Sequence, residues 1–359
     1  MKTQKILVAC LLLSGIYGAN AQIVENTSNT GAGFENGANY AGGNNNQNSF
    51  FGHRAGKAAT AANSQGMNTF IGSEAGTSNT AGNHNTFVGK GSGLSSTVGS
   101  ANTFVGANSG ANNINGTENV FVGLNSGIAN QSSGYNVYLG NHAGSKTTSG
   151  DGGNVFLGHA AGTDNISGSG NTYLGFTTGM HATGNGNVFI GSGAGSNCLL
   201  SNKLFIANND TSTPLVFGDF TSNKLGIGGI NTFPATAGSA NVSTYSLFVK
   251  GGILTEEVRV SIRSGWADYV FAPDYKLYPL SEVEAFIKKN NHLPNVPSAL
   301  EVTTDGISLG DMSKIQQEKI EELTLYAIEQ EKKLNDYKAE LDELRSKLTE
   351  LLSKTAVSK

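Results

Sequence analysis

The chain has 359 residues, of which 14% are charged and 49 are glycine, and its formal net charge is -4. So few basic groups exclude a nucleic-acid-binding surface, and no nucleic-acid partner is expected. With only 6 prolines beside those glycines, the composition favours a repetitive, turn-dense chain over two or three ordinary globular domains.

The N-terminus predicts a signal peptide over residues 1–21. Residues 1–5 are basic, residues 6–18 are mostly apolar, and Ala19-Asn20-Ala21 is a small-x-small cleavage pattern that places the mature start at Gln22. The apolar run is shorter than the roughly 20 residues that span a bilayer. We therefore expect an exported protein, at the cell surface or extracellular, with no transmembrane segment.

A lipoprotein start is the alternative interpretation of the same residues. Leu7-Val8-Ala9-Cys10 fits a lipid-acceptor box, but the apolar run before Cys10 is too short for a normal signal. Cleavage after Ala21 leaves Cys198 as the single cysteine, so no intrachain disulfide is expected.

After a low-complexity segment at 22–47, residues 48–200 repeat one pattern. The pentad Asn-x-aromatic-x-Gly occurs nine times at intervals of 16 to 20 residues, followed by x-x-Ala/Ser-Gly in eight copies and by x-x-Thr-Gly in the copy at Asn171. It begins at Asn48, Asn68, Asn85, Asn102, Asn119, Asn136, Asn154, Asn171 and Asn187. A near-constant period of this length indicates stacked repeats.

Each pentad predicts a short β-strand with an inward aromatic ring, flanked by glycine turns. Strands stacked about 4.8 Å apart would place each ring on the next and align the asparagines in a hydrogen-bonded ladder. The expected repeat core is Phe50, Phe70, Phe87, Phe104, Phe121, Tyr138, Phe156, Tyr173 and Phe189. The predicted fold is mainly β, with a stacked β-roll or solenoid head.

No metal or cofactor is expected in the repeats. A calcium-binding β-roll needs an Asp in every repeat, whereas Asp151 and Asp164 are the only two between residues 48 and 200. The histidines recur at no single repeat position, which argues against a metal stripe. Threonine follows the pentad Asn too irregularly to favour ice binding.

Residues 201–260 predict a β-rich neck. Residues 202–206 resemble a degenerate tenth pentad that begins at Asn202. Residues 214–218 and 224–228 are predicted to form further short strands. Residues 245–260 are predicted to form a hairpin.

Residues 261–312 form a block of different composition that precedes a long helix. A first helix is predicted from Ser281 to about Asn290, with Glu284 completing a capping box. Two prolines follow it, and Gly306-Ile307-Ser308-Leu309-Gly310 leads into the long helix.

Residues 313–353 predict a parallel coiled coil. Its a and d positions form an apolar seam at Ile320, Leu323, Leu334, Tyr337, Leu341, Leu344, Leu348 and Leu351, interrupted by Ala327 and Gln330. Glu340 and Arg345 would pair between parallel chains. A single amphipathic helix on a globular core is the alternative, and it fits a narrow seam among densely charged faces less well.

The repeat array resembles the β-roll heads of trimeric autotransporter adhesins, and more closely the Asn-x-Phe-x-Gly arrays of tail-fibre-like exported proteins of the Bacteroidetes. The block at 261–312 is similar to the C-terminal module of the latter, which resembles the intramolecular chaperone domains of phage tail spikes. The β-roll resemblance implies three chains, since the coiled-coil residues themselves leave the oligomer number open.

Phage chaperone domains of this kind cleave themselves with a Ser-Lys dyad. Aligning that motif here places Pro273 at the serine and Tyr278 at the lysine, so both members of the dyad are replaced. Ser261 and Ser264 lie nearby without an adjacent lysine. We expect no catalytic residues and no enzymatic activity.

The sequence thus predicts an exported structural or adhesive fibre-like protein, a homotrimer assembled through its C-terminal coiled coil. Its expected partner is itself, together with a surface or glycan receptor that the residues do not identify. A self-cleaving chaperone-type serine protease and a glycan-binding surface module are the alternatives.

Overall fold

A computed structural model describes residues 22–25, 30–37, 47–59, 66–261 and 265–357. The predicted signal peptide lies outside these residues. The chain divides into two compact units. The first comprises the chain up to Phe233 together with Tyr245–Gly252, and the second comprises Pro234–Thr244 and the chain from Ile253 onward.

The first unit is a β-solenoid of about ten turns, as the repeat period predicted. Each turn contributes one short strand, which pairs in parallel and in register with the strands of the preceding and following turns. The strands are β3 (Ser49–Phe51), β4 (Thr69–Ile71), β5 (Thr86–Val88), β6 (Thr103–Val105), β7 (Val120–Val122), β8 (Val137–Leu139), β9 (Val155–Leu157), β10 (Thr172–Leu174), β11 (Val188–Ile190) and β12 (Lys203–Ile206).

The strands are short because glycine turns the chain immediately after each one. Gly106, which follows β6, has φ +134°, and a Cβ built there would lie 2.4 Å from the carbonyl oxygen of Gly123 in the next turn. That conformation and that approach both require glycine. Only the three central residues of a turn therefore remain extended, with the ring inward and its two neighbours outward.

Part of the 22–47 segment extends the sheet beyond the first pentad. β1 (Gln22–Glu25) pairs antiparallel with β2 (Thr30–Gly33), and β2 pairs in parallel with β3. Gly31 occupies the position of the ring in this turn, opposite Phe50. The column of rings therefore begins at Phe50, because β2 supplies a backbone but no aromatic side chain.

The tenth turn has a different register from the one predicted. Lys203, not Asn202, occupies the position of the pentad asparagine, because Val188 pairs with Leu204 and Phe189 with Phe205. The parallel order then ends, since β13 (Val216–Asp219) pairs antiparallel with both β12 and β14 (Lys224–Ile227).

The predicted hairpin at 245–260 is wrong. β17 (Leu247–Val249) pairs in parallel with β14, so its partner precedes it in the chain. Residues 253–260 form no strand, and their side chains are exposed. Parallel pairing to an earlier strand depends on long-range contacts that local alternation does not encode.

The second unit contains the helices. A 3-10 helix covers Ala267–Phe271, and three α-helices follow it: α1 (Leu280–Asn290), α2 (Ala299–Asp305) and α3 (Leu309–Val357). A short antiparallel pair, β15 (Thr236–Ala237) and β16 (Ala240–Asn241), belongs to the same unit.

The capping box predicted for α1 does not form. The helix begins at Leu280 after Pro279, which places Ser281 inside the first turn, and no side chain caps the N-terminus. Glu284 instead pairs with Lys288, one helical turn later. A complete capping box occurs at α2, where Ser298 and Glu301 bond reciprocally.

Candidate functional site

The aromatic residues of the pentads lie in one buried column along the solenoid. Consecutive ring centroids from Phe70 to Phe189 are 4.7 to 4.9 Å apart, with planes within 8° of parallel. Phe50 joins its end at 5.1 Å. The strand spacing exceeds the contact distance of about 3.5 Å between carbon atoms, so the rings stack with an offset, which is the favoured arrangement. The members are Phe50, Phe70, Phe87, Phe104, Phe121, Tyr138, Phe156, Tyr173 and Phe189.

The pentad asparagines form a second buried column that links the turns. The Oδ1 atom of Asn119 accepts a hydrogen bond from the backbone N–H of Asn136 at 3.0 Å. Its Nδ2 atom donates at 2.9 Å to the carbonyl oxygen of Ser133, which closes its own turn. The same Oδ1 contact recurs at each step from Asn48 to Lys203. One side chain type therefore satisfies buried backbone groups both within and between turns.

The small residue of the Ala/Ser-Gly dipeptide has a role that the sequence analysis missed. The hydroxyls of Ser92, Ser109 and Ser126 donate to the carbonyl oxygens of the aromatic residues one turn further on, at 3.0 to 3.1 Å. The alternation of Ala and Ser before a glycine that recurs in every repeat is the signal for this position. It indicates a buried site for a small side chain with or without a hydroxyl, and Thr178 occupies it in one turn.

The column of rings loses its regularity at the C-terminal end of the solenoid. The planes of Phe189 and Phe205 are tilted by 48°, and those of Phe205 and Phe217 by 62°. An open cavity of about 530 Å³ lies here, lined among others by Phe205, Phe217, Cys198 and Asp210. Burial raises the pKa of the Cys198 thiol, which makes the thiol less reactive at neutral pH.

The N-terminal part of α3 buries its acidic side chains. Glu318, Glu321 and Glu322 are only 7%, 5% and 8% exposed, whereas Ile320 and Leu323 are 56% and 64% exposed. This is the reverse of the usual pattern for a helix packed on a protein core. The chain's own 3-10 helix packs on the polar side of α3, whereas Ile320 and Leu323 on the apolar side stay more than half exposed.

The buried carboxylates are held by tyrosine and lysine side chains. The hydroxyl of Tyr269 donates to Glu318, and that of Tyr275 donates to Glu322. The ammonium of Lys319 lies 2.9 Å from Glu318 and 2.8 Å from Glu322. Burial opposes ionisation of Glu318, but the Tyr269 hydrogen bond and Lys319 outweigh it and hold the pKa of Glu318 below its usual value. The hydrogen bond to Glu318 raises the pKa of Tyr269 to about 12.

The predicted seam residues all lie on α3, and all have exposed side chains. Their exposed fractions range from 55% at Leu341 to 67% at Leu334. The seam therefore extends as an exposed apolar stripe along most of the helix. It consists of Ile320, Leu323, Leu334, Tyr337, Leu341, Leu344, Leu348 and Leu351.

Pro273 and Tyr278, the two positions that align with the serine and lysine of the phage dyad, make ordinary structural contacts. Pro273 follows the 3-10 helix, and the carbonyl oxygen of Tyr278 accepts a hydrogen bond from the hydroxyl of Tyr326 at 2.5 Å. Ser261 is exposed, and Ser264 lies outside the described residues. Among the described residues no cluster of His, Cys, Asp and Glu has a geometry that could hold a metal ion.

Comparison with family models, with curated proteins and with solved structures finds no match to this chain. Within the described ranges, no helix has both the length and the apolar character needed to cross a membrane. Functional inference therefore depends on the geometry of the chain itself.

Proposed function

We propose that this chain is a non-enzymatic, exported, fibre-like structural or adhesive protein whose copies assemble as a parallel homotrimer through α3. The observation that supports the assembly best is the pattern of burial on α3. The helix buries three glutamates against its own chain and leaves its leucine stripe exposed. The stripe is the part of the helix that gains most from contact with another copy.

The energetics of the helix favour association. α3 has 49 residues and a length of about 73 Å. From residue 327 to residue 354 its side chains are all exposed. An isolated helix gains little stability in water, whereas burying one leucine contributes about 1.5–3 kcal/mol. Seam residues from several copies would together provide enough apolar surface for a stable bundle.

The charge pattern favours parallel chains. Glu340 at a g position and Arg345 at an e position are suitably placed to pair between parallel copies. Within one helix Arg345 lies 3.9 Å from Asp342, a longer contact than the ion pairs between Lys333 and Glu329 or Lys347 and Glu343. The proposed number of three chains rests on the resemblance to trimeric β-roll heads, because leucine at both a and d positions leaves the oligomer number open.

The solenoid suits a role as a rigid, displayed element. Ten turns at the strand spacing extend about 48 Å, and each turn is linked to the next by the ring column and the asparagine ladder. Such a structure has many repeated surface positions and few long loops. Export to the cell surface rests on the N-terminal residues 1–21.

Light scattering on the purified chain tests the assembly, with two variants that introduce the same residue. Leu341→Lys places a charge at an a position of the seam, whereas Ala339→Lys places it at an f position on the outer face. We expect the parent chain and Ala339→Lys to have three times the chain mass and Leu341→Lys to be monomeric. A monomeric parent chain, or a trimer that persists in Leu341→Lys, would overturn the proposal.

A further inference from the structure

The outward side chains of β3 to β12 form one continuous surface on the solenoid, here called the strand face. Two residues of each strand flank the inward ring and point outward, so the strand face consists of two parallel rows. One row runs from Ser49 to Leu204 and the other from Phe51 to Ile206. All their members are Val, Ile, Leu, Phe, Thr or Ser.

Charge is absent from the strand face and present elsewhere on the described solenoid. Between the start of β3 and the end of β11, the charged residues that the structure describes lie in the turns and bends that connect the strands. Several of them pair across turns, as Arg54 does with Glu35 and Lys146 with Asp164. The charged residues of these turns are Arg54, Lys57, Glu74, Lys90, Glu118, Lys146, Asp151 and Asp164.

The strand face exposes a series of apolar side chains that an ordinary solvent-facing surface does not have. Its side chains at Ile71, Val120, Leu139, Val155 and Leu174 are 39% to 43% exposed. Eight of the twenty outward residues are large hydrophobic side chains that are 37% to 43% exposed. Contiguous apolar patches of more than a few hundred Å² are rare on the surface of a monomer and mark interaction sites.

The spacing of the rows points to a second copy of this chain as the partner. The rows form ridges that repeat every 4.8 Å or so along the solenoid, as the ring column does. A partner interdigitates with such ridges over their whole length only when it has the same period. Another solenoid of the same sequence has that period, and an irregular protein surface does not.

We propose that the strand face is a second self-association surface, on which copies pack in parallel and in register around a common axis. This inference rests on the proposed function in one respect: parallel association through α3 holds the heads in one direction and at high effective concentration. Identical turns then lie at the same level, and each residue of the strand face approaches its own counterpart.

Cysteine cross-linking in the full-length chain tests both the contact and its direction. The two native cysteines, Cys10 and Cys198, are first replaced by alanine; the position equivalent to Cys198 in the preceding turn is already alanine, as Ala182. Single cysteines are then introduced as Ile71→Cys on β4 or Leu174→Cys on β10. Six turns, or about 29 Å, separate these two positions.

We expect each variant to cross-link to itself with an oxidant or with a short bis-maleimide. In a trimer roughly two thirds of the chains become covalent dimers, since one disulfide uses two of three thiols. A mixture of the Ile71→Cys and Leu174→Cys variants, denatured and refolded together, should show no cross-link between position 71 of one chain and position 174 of another.

The control is Ile166→Cys, in a turn off the strand face, where the parent side chain is 53% exposed. We expect it to give only the background level of cross-linking. Cross-links between positions 71 and 174 would show antiparallel packing and overturn the proposal. So would equal yields from the control and the strand-face variants.

Light scattering on the same samples separates the two proposals. If the variants are trimeric but fail to cross-link at either position, the strand face is not an interface, and assembly through α3 stands. If the parent chain is monomeric, the proposed assembly through α3 is refuted. The strand-face proposal is then refuted as well, because it depends on that assembly. Trimers that cross-link at both strand-face positions, but not at the control, support both proposals.

Discussion

Replacing Asn119 with alanine tests how much the asparagine ladder stabilises the solenoid. Asn119 is fully buried, and three of its hydrogen bonds are affected by truncation. The backbone N–H of Asn136 loses its acceptor, and Asn136 is itself fully buried. The carbonyl oxygen of Ser133 loses one donor but keeps the Nδ2 atom of Asn130 at 3.0 Å. The Nδ2 atom of Asn136 likewise keeps the Ser133 hydroxyl.

The expected cost follows from these partners. A buried N–H without an acceptor costs about 1–3 kcal/mol, and each lost bond whose partner remains satisfied costs about 0.5–1.5 kcal/mol. We therefore expect Asn119→Ala to lower the local free energy of unfolding by about 2–6 kcal/mol. Asn115→Ala is the matched control at the end of the preceding turn, because Asn115 is exposed, and its effect should stay within about 0.5 kcal/mol.

Amide hydrogen exchange at Asn136 and its neighbours is the suitable assay. A repeat protein unfolds by coupled turns, so a single global unfolding transition is not assured. Exchange reports the free energy of local opening at each amide, at a fixed protein concentration that keeps the assembly state constant. If Asn119→Ala and Asn115→Ala changed protection at Asn136 equally, or if both changes were below about 0.5 kcal/mol, the ladder would not stabilise the turns.

Further substitutions test the other parts of the structure. Gly106→Ala should destabilise the solenoid by at least about 1–2 kcal/mol in chemical denaturation, because its φ is positive and a Cβ would meet the backbone of the next turn; Gly153→Ala should cost less, because Gly153 also has a positive φ but open space around it. Phe121→Ala should cost about 3–5 kcal/mol by the same measurement, and replacement of the exposed Phe176 by alanine less than about 1 kcal/mol; equal effects would contradict the ring column. Since the folded-state pKa of Glu318 is lowered, its stabilising contribution is present at neutral pH and is lost as the pH falls through about 4.3 towards that lower pKa. Glu318→Gln should therefore reduce the fall in melting temperature between about pH 5 and 3. An unchanged pH dependence of the melting temperature would refute the role of this carboxylate.

Much of the solenoid could be read from the sequence, because its information is local and repeated. A ring, an asparagine and a glycine at constant spacing define which residue points inward, which residue bonds to the next turn and where the chain turns. The long helix was equally predictable, since the a and d positions from Ile320 to Leu351 recur without interruption by glycine or proline.

Tertiary structure decided the features that depend on pairing between distant segments. The parallel pairing of β17 with β14, in place of a hairpin, and the one-residue shift to Lys203 in the tenth turn are not encoded in local alternation. The burial of Glu318, Glu321 and Glu322 was also beyond sequence patterning, which assigns glutamates to the solvent side of a helix. Their burial depends on Tyr269, Tyr275 and Lys319, which the fold brings to one side of α3. Periodicity therefore determined the repeating elements by itself, whereas only long-range packing decided how the solenoid ends and which side of α3 remains exposed.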